Sequence, residues 1–131
     1  MRHSVCITSE LKNITTIYNW IKDDLEILCE KRALDRILLA LHEAVTNAVI
    51  HGNKQDATKV VTVTFEIFKE LLIFKVMDEG SGTVILPTKE EAADIFSLAE
   101  GGRGLKLIVQ LSEEAASTPG CMLIKLKHHD L

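Results

Sequence analysis

The chain has few of the residues that nucleic-acid binding requires. Its aromatic residues are four Phe, one Trp and one Tyr, and its formal net charge is −4. A protein that holds a nucleic-acid backbone and stacks on bases needs basic residues interleaved with aromatic rings. No such basic patch is visible, so we expect no direct nucleic-acid partner.

Cysteine and long apolar segments are also scarce. The three cysteines, Cys6, Cys29 and Cys121, are odd in number and widely spaced, and no C-x-x-C occurs. This usage favours buried free thiols over a catalytic or metal role. No apolar run approaches the roughly 18 residues of a membrane span. Residues 1–13 lack the apolar centre of a signal peptide. We therefore expect a cytoplasmic protein that does not associate with membranes.

What is present indicates a single globular domain over residues 1–131. Hydrophobic residues make up 47% of the chain and charged residues 26%, and no linker or repeat divides it. A strand-like start, HSVCITS, precedes a long helix for which Ser9 is the expected N-cap. The apolar positions of that helix recur at a 3.6-residue period: Leu11, Ile14, Ile17, Tyr18, Ile21, Leu25 and Leu28. A second helix is predicted over residues 34–50.

After Gly52 the hydrophobic period changes to two. Residues 61–67 and 71–77 predict two strands joined by a turn at Lys69 and Glu70, hence an antiparallel pair. Thr88 and Glu91 have the spacing of a capping box. A helix following the glycines at 101–104 and a last strand over 121–127, after a turn at Pro119 and Gly120, complete the chain. This order predicts an α/β (α+β) two-layer sandwich, with a mixed, mostly antiparallel sheet and helices on one face.

The first segment whose side chains could bind a ligand or catalyse a reaction is LALHEAVTNAVIHGN, residues 39–53. Glu43, Asn47 and His51 are spaced four apart, so they form a slanting row beside the apolar stripe of the helix. One interpretation is a solvated edge with a Glu–Asn contact. The other is a small metal and water site, because an amide oxygen is a hard ligand suited to Mg²⁺ and a carboxylate can accept a proton.

The second segment, D-x-G-x-G, contains Asp78, Gly80 and Gly82. The two glycines permit close approach of a ligand to the backbone. An ionised Asp only accepts hydrogen bonds, and could receive one from an exocyclic amine such as that of adenine. An ordinary turn is the alternative, since Asp and Gly are common turn residues.

The third segment, G-G-R-G, opens a helix. Free backbone N–H groups and the helix dipole favour phosphate at such an end, and Arg103 adds a planar cation. A flexible loop is the alternative. Neither G-x-x-x-x-G-K-[ST] nor G-x-G-x-x-G is present, which excludes the P-loop, the dinucleotide fingerprint and the eukaryotic kinase loop.

The order of the three segments carries more information than any one of them. E-x-x-x-N-x-x-x-H-G, then D-x-G-x-G, then G-G-R-G-L at a helix start resembles the Bergerat-type, histidine-kinase-like ATP-binding fold. Within that superfamily, the short form with EAVTNAVIHGN and EGGRGLKLI closely resembles bacterial anti-sigma factors that are serine-protein kinases. The resemblance runs from the first strand to the last.

The resemblance implies roles for residues of the first segment. Glu43 corresponds to the general base that activates the attacking hydroxyl or water. Asn47 corresponds to the Mg²⁺ ligand, through which the metal bridges the phosphates of ATP. His51 matches the end of the same helix, as a helper or a structural group near the nucleotide.

The other two segments complete the implied nucleotide site. Asp78 corresponds to the acceptor for the adenine amino group. Gly80 and Gly82 correspond to glycines that let the nucleotide lie against the backbone. Three consecutive residues match the phosphate-binding end of the lid: Gly102, Arg103 and Gly104.

By the same resemblance, the protein transfers the γ-phosphate of ATP to a serine of a small antagonist (anti-anti-sigma) protein and sequesters a sigma factor. Relatives are commonly homodimers. Two departures from the family pattern, Thr83 after the second motif and a short lid over residues 83–100, keep open a non-catalytic ATP-binding regulatory module. A histidine-kinase catalytic domain is less favoured, because no dimerisation helix pair with a phospho-accepting histidine precedes it.

Overall fold

The computed structural model describes residues 2–27, 29–93 and 103–128, with only the backbone for Arg2 and Arg103. Five strands lie in these ranges: β1 (Arg2–Thr8), β2 (Val60–Phe68), β3 (Leu71–Met77), β4 (Glu114–Thr118) and β5 (Cys121–Lys127). The α-helices are α1 (Ile14–Leu25), α2 (Lys31–Asn47), α3 (Lys89–Ala92) and α4 (Arg103–Leu111). None of these helices has the length and apolar character needed to span a membrane.

The strands form one sheet in the order β1-β2-β3-β5-β4. The predicted fold class is confirmed, although every pairing among the described strands is antiparallel and none is parallel. Phe65 of β2 lies opposite Phe74 of β3, and Phe74 lies opposite Ile124 of β5. All three side chains are fully buried. Their alternation with less buried neighbours gives the sheet one face that is covered by helices.

Helix α2 is the central element of the helical layer, with α1 and α4 packed beside it. Its buried face carries Ile37, Leu41 and Val45, which join the aromatic residues of the sheet in one core. Truncating a fully buried Phe in such a core costs about 3–5 kcal/mol, so the core holds α2 firmly on the sheet. The polar residues beside this buried stripe are consequently held in place relative to the sheet.

The start of the first helix differs from the sequence prediction. Leu11–Asn13 form a 3₁₀ turn, and α1 begins at Ile14. Ser9 is not its N-cap: Ser9 is fully buried, and its Oγ accepts a 2.6 Å hydrogen bond from Asn53 Nδ2. Tyr18 is 40% exposed and Leu11 46%, so neither belongs to the core stripe. A tertiary partner for the serine has replaced the local cap.

The second helix does not continue regularly to residue 50. The α-helix ends at Asn47 and passes into a π turn over Ala48–Gly52, where Asn53 N donates to Ala48 O at 2.9 Å. The regular four-residue row therefore holds for Glu43 and Asn47 alone, and His51 lies in the wider turn. Such π turns are rare and occur frequently at functional sites.

The turn at Lys69 and the capping box at Thr88 were predicted correctly, whereas the short strand β4 was not. Lys69, with φ 55°, turns the chain between β2 and β3, and Thr88 with Glu91 forms a full capping box at α3. The strand β4 was not predicted. Its sequence, EAAST, is rich in residues with weak strand preference, and its pairing with β5 is what makes it a strand.

The cysteines are free thiols within the described residues, as expected, but the expectation of burial is wrong for Cys6. Cys6 lies exposed on the edge strand β1, while Cys29 and Cys121 are half-buried. Burial raises the pKa of the Cys29 thiol.

Candidate functional site

Asn47 stands where two depressions of the surface meet. It is the last residue of α2 and is half-buried. It lines a pocket between α2 and the sheet, and it also lines a groove between α2 and the start of α4. Asn47 therefore lies at the boundary between the two depressions.

The pocket has both apolar and polar groups in its wall, including a carboxylate. Ala48, Val76 and Met122 supply much of its apolar lining. Asp78 and Gly120 also line it. A cleft that combines apolar lining with a few placed polar groups is the usual form of a small-molecule site. This lining suits a flat aromatic base that presents an amino group to Asp78.

Asp78 is held by its own loop and by the last strand. Its Oδ1 accepts a hydrogen bond from Gly80 N at 2.8 Å, and its backbone N donates to Gly120 O at 2.9 Å. The residue is half-buried at the end of β3. The turn around Gly80 thus orients the carboxylate while leaving acceptor capacity on its oxygens.

Three glycines pack closely around this carboxylate. A methyl group on Gly52 would overlap the carboxylate of Asp78, and one on Gly80 would lie 2.5 Å from Gly52 O. Gly120 has φ 67° and would place a methyl 2.8 Å from Gly80 O. Gly82 differs from these three, because a methyl there would meet nothing within 4 Å. Side chains are therefore excluded sterically at the first three positions, whereas Gly82 is exposed.

The groove brings the first and third sequence segments together. Glu43, Asn47, His51 and Gly104 line it. A methyl group on Gly104 would lie 2.5 Å from Glu43 Oε2, so the first turn of α4 runs directly past the Glu43 side chain. The N–H groups of that first turn have no partner within the helix and carry partial positive charge. The groove therefore combines a carboxylate, an amide and a helix N-terminus.

Not every residue that the sequence singled out can be placed. Gly102 lies outside the described residues, as does the side chain of Arg103, whose backbone begins α4. His51 is exposed in the π turn, where it lines both the groove and a neighbouring depression shared with Asp78 and Gly80. The structure thus places His51 at the edge of the site, while the position of the Arg103 side chain relative to the site stays a prediction.

The oxygen donors of the groove fit a magnesium ion that is partly held by phosphate. Glu43 and Asn47 present a carboxylate and an amide to the same space. Among the described residues, no group of three or more His, Cys, Asp or Glu could hold a metal. Mg²⁺ is commonly bound through one or two protein oxygens, with substrate phosphates and water completing its octahedron, rather than in an all-protein cage.

Sequence reasoning missed the contributions of Gly120 and Met122. Gly120 had been assigned to a turn and Met122 to a strand, and neither to the site. Both reach the pocket because β5 pairs directly with β3, whose last residue, Met77, immediately precedes Asp78. The available signal was the Pro-Gly turn before the last strand, but it indicates a site residue only once that strand pairing is known.

The fold and this arrangement define a nucleotide-binding class of protein. The chain matches the family described as histidine kinase-like ATPase domain over residues 7–127, and it belongs to that family. The family is one of ATPase domains, which implies that the protein binds ATP.

Among curated proteins the chain is similar to serine-protein kinases RsbW. It is 35% identical to that of Bacillus licheniformis over 88 residues and 31% identical to that of Bacillus subtilis strain 168 over 87 residues. Both alignments cover 62% of this chain and 54% of the relative. For the Staphylococcus aureus protein, identity is 31% over 99 residues, covering 69% and 62% respectively. The chain thus spans about half the length of the first two. The resemblance to anti-sigma serine-protein kinases that its motifs indicated is confirmed.

Proposed function

We propose that this protein is an ATP-dependent serine-protein kinase that phosphorylates a small antagonist protein and also holds a sigma factor as an anti-sigma factor. The supporting observation is that Glu43, Asn47 and Gly104 share one groove, and that Asn47 also lines the Asp78 pocket. The similarity to serine-protein kinases RsbW supports the same reaction. The alignments cover about half of each of these relatives, so we propose their kinase activity for this chain by analogy.

In this proposal the pocket binds the base of ATP. The Asp78 carboxylate accepts a hydrogen bond from the adenine amino group, while Ala48, Val76 and Met122 contact the faces of the ring. Gly80 and Gly82 leave room for the nucleotide against the backbone of the loop. Asp78 supplies selectivity, since a purine without the amino group leaves this acceptor unpaired.

The phosphates then lie along the groove toward the first turn of α4. Its N–H groups, with the backbone at Gly104, would face the phosphoryl oxygens, and Gly102 and Arg103 are assigned to the same end of the helix. The Asn47 amide oxygen would be the protein ligand for Mg²⁺, which neutralises phosphate charge when bound. His51 is left with an auxiliary role at the edge of the groove.

Glu43 is the proposed base. A serine hydroxyl entering the groove would attack the γ-phosphorus as its proton passes to the Glu43 carboxylate, and the bond from phosphorus to the bridging oxygen of ADP breaks. Positioned proton acceptors of this kind contribute about 10²- to 10⁴-fold in rate. Most of the remaining acceleration comes from positioning and from charge stabilisation by the groove.

The test is to incubate the protein with Mg-ATP and candidate antagonist proteins and to detect phosphoserine by mass spectrometry. ATP binding is measured in parallel by calorimetry. Serine phosphorylation supports the kinase proposal. Binding of ATP without transfer to any candidate would instead support the non-catalytic regulatory module, and absence of nucleotide binding would refute both functions.

Sequestration of a sigma factor needs a separate measurement. A pull-down of candidate sigma factors should be reduced by unphosphorylated antagonist and restored when that antagonist has been phosphorylated. If sigma binding does not respond to the phosphorylation state of the antagonist, the partner-switching part of the proposal fails while the kinase part remains.

A further inference from the structure

Asn53 lies behind the Asp78 loop (residues 78–82), outside the pocket and groove described above. It follows the π turn directly and is 1% exposed. Its Nδ2 donates to Ser9 Oγ at 2.6 Å and to Val60 O at 2.8 Å, and its Oδ1 accepts from Glu79 N at 2.7 Å. One buried amide therefore connects the end of β1, the start of β2 and the Asp78 loop.

The orientation of this amide is determined by its partners. The Val60 carbonyl can only accept and the Glu79 N–H can only donate, so the nitrogen must face Val60 and the oxygen must face the loop. Both hydrogens of the amide and its oxygen are engaged. A buried polar group that loses its partner costs about 1–3 kcal/mol, so rotation of the Asn53 amide is strongly disfavoured.

The bond from Asn53 acts on the peptide plane next to Asp78. Glu79 N belongs to the peptide unit that leaves Asp78, so holding this N–H restricts the backbone angle ψ of Asp78. On the other side, Asp78 N donates to Gly120 O at 2.9 Å. Glu79 adds a return contact, since its Oε2 accepts from Val60 N at 2.6 Å. The backbone of Asp78 is thus held from both sides, which fixes the point from which its side chain projects, and the bond from Gly80 N to Oδ1 then orients the carboxylate.

We propose that Asn53 is a positioning residue for base recognition: through Glu79 N it orients Asp78 and so sets the preference for purines that carry a 6-amino group. This inference rests on the proposed function of Asp78 as the acceptor for that amine. Asn53 lines neither the pocket nor the groove. Its side chain bonds to the Asp78 loop through Glu79 N, so we expect the effect of the side chain on binding to pass through that loop.

The experiment compares two nucleotides on each variant. ATP carries the 6-amino group, and purine riboside triphosphate is the same molecule without it. For Asn53→Ala we expect ATP affinity to fall about tenfold, the scale of one hydrogen bond to a charged group, while affinity for the analogue changes less than about twofold. The ratio of the two dissociation constants is the readout. A purely structural role would weaken both nucleotides by the same factor, which would overturn the proposal.

A matched control is available at the same end of β1. Asn13 Nδ2 donates to Thr8 Oγ1 at 2.6 Å and has no hydrogen bond to the Asp78 loop. Asn13→Ala should leave the nucleotide ratio unchanged. A ratio that changes as much in this control as in Asn53→Ala would also overturn the proposal. Near-ultraviolet circular dichroism verifies that each variant is folded at the temperature of the titration.

Asp78→Asn separates this inference from the proposed function. If Asp78→Asn leaves the nucleotide ratio unchanged, the assignment of Asp78 to the adenine amine is wrong. If Asp78→Asn removes the preference while Asn53→Ala retains it, only the role of Asn53 is wrong. When Asp78→Asn has removed the preference, adding Asn53→Ala should change the ratio no further.

Ser9→Ala provides the second variant in case Asn53→Ala does not fold. It removes one acceptor of the Asn53 amide and leaves the bonds to Val60 and Glu79 in place. We expect a smaller loss of preference, about two- to threefold, with unchanged affinity for the analogue. If a folded Ser9→Ala protein prefers ATP over the analogue as strongly as the parent protein does, the result counts against the inference.

Discussion

Gly52 lies directly against the carboxylate of Asp78, although 25 residues separate them along the chain and they belong to different motifs. Gly52 closes the π turn after α2, and Asp78 immediately follows β3. The absence of a side chain at Gly52 allows the carboxylate to lie beside the end of α2. The contact connects the two segments that were recognised separately in the sequence.

Substituting Gly52 should therefore disrupt nucleotide binding. In Gly52→Ala the added methyl group would overlap the Asp78 carboxylate, which must turn away from the pocket. Loss of one charged acceptor corresponds to about 1.5–3 kcal/mol, so we expect ATP affinity to fall at least tenfold in calorimetric titration. Near-ultraviolet circular dichroism verifies that the variant is folded. Unchanged ATP affinity in a folded Gly52→Ala protein would contradict the steric explanation.

Glu43 should be needed for transfer and dispensable for binding. Glu43→Gln retains the shape of the side chain but removes the proton acceptor, so we expect phosphoserine formation to slow by about 10²- to 10⁴-fold. ATP affinity should change less than about threefold. Rapid-quench assays and calorimetry give the two quantities. Glu114→Gln, on β4 opposite Lys125, is the control. Normal transfer by Glu43→Gln would show that the base has been assigned wrongly.

Asn47 should account for the effect of magnesium on nucleotide binding. Removing the amide oxygen in Asn47→Ala leaves the groove without its proposed protein ligand for the ion. We expect the gain in ATP affinity that Mg²⁺ produces in the parent protein to disappear, with magnesium-free affinity nearly unchanged. Titrations with and without the ion measure this, and the exposed Asn19→Ala serves as control. A retained magnesium effect would exclude Asn47 as the ligand.

Lys89 should contribute to stability by closing the C-terminal end of α4. Its Nζ donates to Val109 O and to Ser112 O, each at 2.6 Å. A cation at this end also complements the helix dipole. We expect Lys89→Met to lower the free energy of unfolding by about 1–2 kcal/mol in guanidinium titrations. Lys31→Met, whose side chain is 87% exposed beside Asp35, should change it by less than about 0.5 kcal/mol. Similar values for both would contradict a specific capping role.

The capping box of α3 should make a pH-dependent contribution to stability. Hydrogen bonds from the Thr88 backbone and side chain lower the pKa of Glu91 below its ordinary value of 4.5. A lowered folded-state pKa means stabilisation that is present above the unfolded pKa and is lost as pH falls through the folded one. The stability difference between the parent and Glu91→Ala should thus be present at pH 6 and shrink below about pH 4.5.

Denaturant titrations at several pH values measure this difference. Glu90→Ala, at the neighbouring exposed position, is the control and should show a weaker pH dependence. A difference between the parent and Glu91→Ala that stays constant down to pH 3 would rule out the ionised carboxylate as the stabilising form.

Features governed by local chemistry could be predicted from the sequence. The alternation in β2 and β3, the Thr88–Glu91 capping box and the turn at Lys69 each depend on residues close together in the chain. The motif residues Glu43, Asn47 and Asp78 could likewise be chosen as candidates, because their side-chain chemistry and the glycines beside them are visible without coordinates. The roles of these residues stay predictions until they are measured.

Features that depend on distant partners could not be predicted in this way. Serine is a residue type that favours the N-cap position, but the Ser9 hydroxyl instead accepts a hydrogen bond from the side chain of Asn53. Strand β4 is weak in strand preference and exists through its pairing with β5. The π turn, likewise, widens a segment whose residues would equally well continue an α-helix.

The amino-acid sequence by itself determined which groups are available for nucleotide chemistry and which face of each helix and strand is apolar, because both are properties of side chains and their local period. Only the tertiary structure decided that Gly52 and Gly120 lie against Asp78, and that Glu43 and Gly104 face one groove. Those contacts depend on the pairing of β3 with β5 and on the packing of α4 against α2, and both are contacts between segments distant in the chain.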